Sequence, residues 1–329
     1  MSARPHIPVM LDAVLTAAAV SDGDRVVDAT FGHGGYSEAI LQSAECEVVA
    51  LDRDPTVREQ AGILERRYPE RFRWVETPFS QMDEHNLAPA DVVVFDIGVS
   101  SMQIDRAERG FSFQKDGPLD MRMSRSGPSA RDAVMHLSED ELAALFQFYG
   151  EERHARRAAR RICEAREDED ISTTAQLAGI VEKAIGRSGK IHPATRVFQA
   201  LRIFINDELG ELYRGLCAAE RILAPGGRLV VVTFHSLEDR IAKQFLRDRA
   251  GEVEGGSRYA PVAEAVGPAP SFRLARRSVV KPGRDEEADN PRARSAKLRV
   301  AIRTSAPPHP ADPDWSPAKR RLPSLDRLL

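Results

Sequence analysis

Short apolar runs alternate along the chain with longer stretches in which apolar positions recur three and four residues apart. Val26-Val27, Val48 to Leu51, Phe72 to Val75 and Val92 to Phe95 are rich in β-branched residues and nearly unbroken by polar positions, the pattern of strands buried on both faces. Periodic stretches separate them, and strand–helix alternation of this kind predicts a parallel sheet with strands near Arg25 to Ala29, Val48 to Asp52, Phe72 to Val75 and Val92 to Asp96. Beyond Asp96 the rhythm breaks. From about Asp105 to His192 the patterns are helical, as in Ser138 to Tyr149 and Thr174 to Ile185. A further helical spacing over Thr195 to Leu223 ends at Pro225-Gly226-Gly227, and Leu229 to Phe234 returns the chain to the sheet. Ser236 to Asp239 has the S-x-x-D form of a capping box opening a helix to about Asp248. Residues 251–296 suit a long loop around an edge hairpin, and Leu298 to Ile302 is the last predicted strand. The expected organisation is a sheet domain in two parts, 1–104 and 193–305, a helical domain inserted at 105–192, and a proline-rich tail, 306–329, expected to be disordered.

Composition narrows the class. Across 329 residues, 42% hydrophobic and 29% charged side chains are those of a globular protein, and no apolar run approaches the roughly 18 residues of a membrane span. Met1 to Met10 lacks the apolar core of a signal peptide, so a cytoplasmic location with no membrane partner is expected. Cys46, Cys163 and Cys217 have no C-x-x-C spacing, and no metal site is expected. With 47 basic and 50 acidic side chains the net charge is −3, so a nucleic-acid partner would have to be held by local patches.

Chemistry concentrates where the predicted strands end. Asp28 is followed by Gly32-His33-Gly34-Gly35, Asp52 ends the second run and Asp96 the fourth, and a parallel sheet gathers such ends at one edge, where ligands of open α/β sheets bind. Three glycines in four positions leave the main chain open to a ligand and free to take positive φ. Asp52 lies 20 residues after Gly32, the spacing at which a second-strand acid meets a ribose hydroxyl. Both dinucleotides and S-adenosylmethionine fit this pattern. The turn is not G-x-G-x-x-G, and a carboxylate at Asp28 facing the ligand would repel pyrophosphate while attracting a sulfonium and an ammonium, which favours S-adenosylmethionine. A glycine turn that only packs helix on strand is the competing reading.

Ten ordered blocks carry a resemblance. They are His6 to Met10, the Asp28 turn, Asp52-Arg53-Asp54, Phe95 to Ser101, Arg109 to Phe113, Asp116 to Met123, Tyr149 to Arg153, His192 to Arg196, Phe234 to Arg240 and Asn290 to Ser295. Over about residues 6–303 the chain resembles the RsmH (MraW) family. The resemblance implies a Rossmann-like class I methyltransferase sheet with an inserted helical substrate-recognition domain. It also implies S-adenosyl-L-methionine as cofactor and methylation of the exocyclic N4 amine of a cytidine in the decoding region (peptidyl site) of 16S ribosomal RNA. The substrate would then be that RNA, within the small ribosomal subunit, with the association state open and a homodimer allowed. Cofactor contacts are implied at Gly34, Gly35, Tyr36, Asp52, Phe79, Asp96 and Gln103. The family usually has glycine where this chain has Ala29 and histidine where it has Tyr36.

Methyl transfer to an amine needs proximity, orientation and a hydrogen-bond acceptor on the amine, for which Asp96 and Ser100 are the candidates. Ser100 and Ser101 are equally readable as helix-capping turn residues. Phe111 and Phe113 suit either stacking of a flipped base or packing of a domain junction. Arg122 suits either a phosphate or a salt bridge at a hinge, and His235 either a proton acceptor or a structural histidine. Arg153, Arg156, Arg157, Arg160 and Arg161 fall on one helical face about 140° wide at ~100° per residue, a phosphate-binding stripe or a solvated face. Residues 271–303 hold ten basic against four acidic side chains, an excess of six that includes Arg292 and Arg294. RNA binding is expected at Arg122, Arg153, Arg156, Arg157, Arg160, Arg292 and Arg294. An amine on another nucleic acid, or an RNA-binding assembly factor without turnover, are the alternative functions.

Overall fold

A computed structural model of the chain describes residues 8–187, 192–252, 267–276, 278–290, 293–317 and 322–328. The described residues form two compact units, one of Met1–Gly98 with Glu211–Trp315, the other of Val99–Gly210 with Ser316–Leu329.

The first unit is built on a seven-stranded sheet: β1 (Arg25–Asp28), β2 (Glu47–Asp52), β3 (Phe72–Glu76), β4 (Ala90–Asp96), β5 (Leu223–Thr233), β6 (Phe272–Leu274) and β7 (Lys297–Arg303). Their order is β3-β2-β1-β4-β5-β7-β6. β1 to β5 are parallel, and β7 runs antiparallel between β5 and β6; in place of a hairpin contained within 251–296, the short β6 from that stretch pairs with the last strand. The apolar runs pack as their composition dictates: Val26, Val27 and Val92 to Phe95 are buried, and Val93 and Phe95 join Leu229, Val231, Leu212 and Leu216 in one core. Because the strands are parallel and in register, the acids that end β1, β2 and β4 come to one edge.

The second unit is helical, with Ala130–His136, Glu139–Phe148, Ala155–Asp168, Thr174–Ile185 and Ala194–Ile205. Three of its helices open with reciprocal capping boxes, Ser129 with Asp132, Ser138 with Glu141, and Thr173 with Gln176. Its limits differ from the expected 105–192. The helix Ala194–Ile205 belongs to it, because its apolar face packs on the helices Glu139–Phe148 and Thr174–Ile185. The apparently continuous helix of residues 195–223 breaks at Asp207, where φ is 45°. Before the break, the Asn206 side chain donates to Met121 O (2.8 Å) and accepts from Met123 N (2.8 Å), tying the helix end to a loop far back in the sequence.

The tail also departs from expectation. Residues 304–315 pack on the sheet unit: Arg303 Nη1 donates to Ala306 O, His309 N to Glu220 Oε1 (2.9 Å) and Asp312 N to the Tyr213 hydroxyl (3.0 Å), while Trp315 stacks on the Tyr213 ring with centroids 4.3 Å apart. Proline-rich chain needs no ladder of its own when side chains and turns satisfy its few amides. Among the described residues no helix is long and apolar enough to cross a membrane.

Candidate functional site

The turn after β1 is held from below. Asp28 is fully buried, its Oδ1 accepting from Thr30 N (3.2 Å) and its Oδ2 from the Ser37 hydroxyl (2.7 Å). Burial pushes its carboxyl above the ordinary range, against the pull of those hydrogen bonds. The expectation that Asp28 faces a ligand is therefore corrected: it braces the turn against the helix Gly35–Ser43. Thr30 Oγ1 in turn accepts from Asp96 N (2.7 Å) and locks the ends of β1 and β4 together.

The glycines divide in function. A Cβ at Gly34 (φ 77°) would come within 2.7 Å of the Phe31 ring, and one at Gly35 within 2.3 Å of Pro8, so both positions are bare because neighbouring side chains fill them. Only at Gly32 (φ 52°) does the missing side chain leave open space, with Thr30 O the nearest atom at 4.0 Å. Gly34 N is already committed to Phe31 O (2.7 Å), whereas the amides of Gly35 and Tyr36 lie in the first turn of a helix, where no intrahelical acceptor exists. The Tyr36 ring is buried and its hydroxyl donates to Val9 O. Burial, then the carboxylates of Asp96, Asp28 and Glu286, push that phenol well upward. What Tyr36 offers a ligand is main chain.

Asp52 is half-buried at the end of β2, one oxygen accepting from Gly32 N (2.9 Å) and the other from Asp54 N (2.8 Å). A carboxylate has about four acceptor positions, so capacity for a pair of hydroxyls remains. Desolvation raises its pKa to about 6, although the two backbone bonds favour the ionised form. Phe79, opening the turn of helix after β3, stands edge-on to Phe95 (5.4 Å) in a notch that Gly215 leaves, since a Cβ there would lie 2.4 Å from its ring.

Asp96 is the electrostatic centre of this edge. Its Oδ1 is buried and has no hydrogen-bond partner among the described residues, and burial, followed by the charges of Asp28 and Glu238, pushes its carboxyl well above the ordinary range. An unpaired carboxylate in such surroundings is unfavourable unless a proton or a cation compensates it. The site therefore fits a cationic ligand that also carries a diol and an anionic end: Asp96 for the cation, Asp52 for the diol, the amides of the first helical turn for the anion. Beside it, His235 rather than Ser236 caps the helix Ser236–Arg249, with Glu238 as its partner. Glu238, fully buried, did not stand out in the sequence; its position three residues after a strand-ending histidine was the available signal.

The helical unit holds the other candidates. Ser100 and Gln103 cap each other across the first turn of Ser101–Asp105, Ser100 N to Gln103 Oε1 (3.0 Å) and Gln103 N to Ser100 Oγ (3.3 Å), so the hydroxyl serves the turn. Arg122 grips Asp120 with two bonds (2.9 and 2.7 Å) and donates to Gly127 O (3.0 Å). Burial would raise the Asp120 carboxyl, but the bonds from Arg122 take it below the ordinary range. This is the hinge-type salt bridge, not a free phosphate ligand. Phe113 packs against His192 (4.7 Å) and Phe198 (4.9 Å), and Phe111 is buried, so both serve packing. Arg153 precedes the helix Ala155–Asp168 instead of lying on it, while Arg156, Arg157, Arg160 and Arg161 project from its exposed face opposite the buried Ala155, Ala158, Ala159 and Ile162. Arg156 pairs with Asp140 (3.0 Å), and Arg160 and Arg161 with Glu164 (3.7 and 3.0 Å), exposed pairs that each contribute about 0–1 kcal/mol and separate easily. Arg294 is exposed, and Arg292 lies outside the described residues.

A five-stranded parallel sheet closed by an antiparallel seventh strand, with a glycine turn after β1 and acids ending β2 and β4, is a Rossmann-like class I methyltransferase fold. The sequence fits the MraW methylase family over residues 3–304, and the chain belongs to that family. A ribosomal RNA small subunit methyltransferase H of Maricaulis maris is 58% identical over 313 residues, covering 93% of each chain. Proteins of the same name from Xanthobacter autotrophicus and Caulobacter vibrioides are 57% and 56% identical over 310 residues, covering 93% of this chain and 89% and 98% of theirs.

Proposed function

We propose that the protein methylates the exocyclic N4 amine of a cytidine in the decoding region of 16S ribosomal RNA, with S-adenosylmethionine as methyl donor. The observation that carries this reading is the buried, unpartnered Asp96 oxygen at the carboxyl edge of the sheet, in a chain whose relatives are named for small-subunit RNA. When bound, the cofactor supplies an electrophilic methyl group on a sulfonium. Asp52 would hold its ribose hydroxyls, the Gly34-Gly35-Tyr36 main chain and Phe79 would border it, and Gln103 is assigned to it by family resemblance. Asp96 balances positive charge and accepts a hydrogen bond from the amine, which localises the nitrogen lone pair for in-line attack. Ser100 shapes the turn that follows. The arginine face of the helix Ala155–Asp168, with Arg153 beside it and Arg294 on the sheet unit, suits phosphate contacts with RNA. Small subunits from cells lacking the gene, incubated with the protein and isotopically labelled cofactor, should yield N4-methylcytidine at one position on nucleoside mass mapping. Label on another base, or none, overturns the assignment.

Asp52 gives this reading a pH signature. A diol binds best to the ionised carboxylate, so cofactor affinity should be level above pH about 6 and fall as the pH drops through that value. Asp52→Asn should bind more weakly and lose the pH dependence; calorimetry across that range checks both.

A further inference from the structure

The helix that follows β5 opens with an unusual capping box. Glu238 Oε2 accepts from Phe234 N (2.8 Å) and His235 N (3.2 Å), which is all that a cap requires. Capping partners ordinarily stand in solvent, where glutamine serves as well as glutamate. Here the carboxylate is fully buried, and its second oxygen, Oε1, has no hydrogen-bond partner among the described residues. His235 Nε2 lies 2.8 Å from it, within ion-pair distance but outside hydrogen-bonding alignment, and is itself without a hydrogen-bond partner. β4 and β5 are neighbours in register, Asp96 opposite Val232, so the capped turn and Asp96 share one edge of the sheet. Two buried carboxylates with one unpartnered oxygen apiece are thus placed within electrostatic reach of each other, an arrangement that costs stability and that a cap does not need.

On the reading that the substrate is an amine, we propose that Glu238 is a positioning residue for methyl transfer, its buried carboxylate holding Asp96 ready to accept the proton that the substrate amine gives up. In the reaction the amine nitrogen forms a bond to the methyl carbon, the carbon–sulfur bond breaks with its electron pair going to sulfur, and the nitrogen, now cationic, releases one proton. Asp96 takes that proton on its unpartnered oxygen and later passes it to water. A negative neighbour strengthens a carboxylate as a base. Among the described residues, the titratable groups that act on Asp96 are Asp28 from the end of β1, Tyr36 from the helix after the glycine turn, and Glu238 at the start of the helix after β5, beside which His235 lies. After burial, Asp28 and then Glu238 raise the proton affinity of Asp96; both oxygens of Asp28 are spent bracing the turn on Thr30 and Ser37, whereas Glu238 keeps its second oxygen out of the cap.

Glu238→Gln tests this, because the amide oxygen can still accept from Phe234 and His235 and so preserve the cap. Two readouts are taken on the full-length protein: titration of the Asp96 carboxyl by carbon-13 NMR, assigned with Asp96→Asn, and single-turnover methylation of small subunits. In Glu238→Gln the Asp96 midpoint should move to lower pH by about one unit and the rate should fall about tenfold. Cofactor affinity should change less than about twofold. An unmoved midpoint, or an unaltered rate, overturns the proposal. A midpoint that moves while wild-type protein makes no N4-methylcytidine supports the coupling and overturns the amine substrate instead. Should Glu238→Gln fail to fold, the wild-type titration decides: an Asp96 carboxyl resonance that also responds as Glu238 titrates supports the proposal, and one that follows a single midpoint in the ordinary carboxylate range refutes it.

Discussion

Asp96→Ala should lower kcat by about a hundredfold or more while the protein melts no lower than wild type. On the proposed reading, Asp96 is the acceptor that orients the amine and takes its proton, and removing it forfeits a contribution worth about 10²–10⁴-fold where it has been dissected in other enzymes. Stability responds in the opposite direction. Burial and two carboxylate neighbours raise the proton affinity of Asp96 in the folded chain above its unfolded value. The folded state therefore binds that proton more tightly, the stabilisation is present at low pH, and it is lost as the pH rises. At neutral pH, well above the unfolded carboxyl value, the buried group works against folding, so Asp96→Asn should raise the melting temperature near pH 7 and lose this advantage below about pH 4, near that value. Activity and melting measured on the same preparations check both halves. A variant that loses activity and stability together would mean that Asp96 is a structural brace.

Site and sheet were legible to different depths. The strands were readable because a parallel sheet buries both faces, so β1, β2 and β4 appear as apolar runs ended by a single acid. That rule also placed Asp52 and Asp96 at one edge. It could not separate Asp28 from them, because a strand-ending carboxylate is the same letter whether it faces a ligand or, as here, is spent on Thr30 N and the Ser37 hydroxyl. The glycine turn was misleading in a similar way. Gly34 and Gly35 are bare to admit Phe31 and Pro8, residues whose approach depends on three-dimensional packing and leaves no periodic trace.

Tertiary contacts also decided what the helical patterns left open. The apolar spacing runs on through residues 195–223, yet the chain turns at Asp207 because Asn206 has partners at Met121 and Met123, some 83–85 positions away. Periodicity reports which face is apolar and says nothing of such a clasp. The tail was misread for a related reason. Residues 304–315 form neither helix nor strand, but one aromatic stack on Tyr213 and a few side-chain bonds suffice to seat an extended segment. The arginine stripe was legible from Arg156 to Arg161 and lost its first member because the helix begins only at Ala155.

The largest stability effect is expected at Gly110, in the helical unit. Its φ is 72°, and a Cβ there would lie 2.3 Å from Pro118 O and 2.7 Å from Asp120 N, both main-chain atoms that cannot swing aside. The same junction is tied by Met121 N to Arg109 O (3.1 Å) and by the buried Arg109 guanidinium, which donates to Arg122 O and Met123 O (3.0 Å each). Gly110→Ala must therefore push two loops apart, cost about 1–2 kcal/mol for the left-handed backbone alone, and weaken hydrogen bonds worth about 1 kcal/mol apiece. A total near 3 kcal/mol should lower the melting temperature by about 10 °C, at ~2–4 °C per kcal/mol for a chain of this size. Gly127→Ala supplies the control. It shares the positive φ (78°) but has nothing within 4 Å of the added carbon, so only the backbone cost of about 1–2 kcal/mol applies. If the two variants melt together, the interlock of Arg109 to Phe113 with Asp116 to Met123 is not what holds this unit. If Gly110→Ala melts far lower while cofactor binding below its transition is unchanged, those blocks persist in the sequence to build the scaffold.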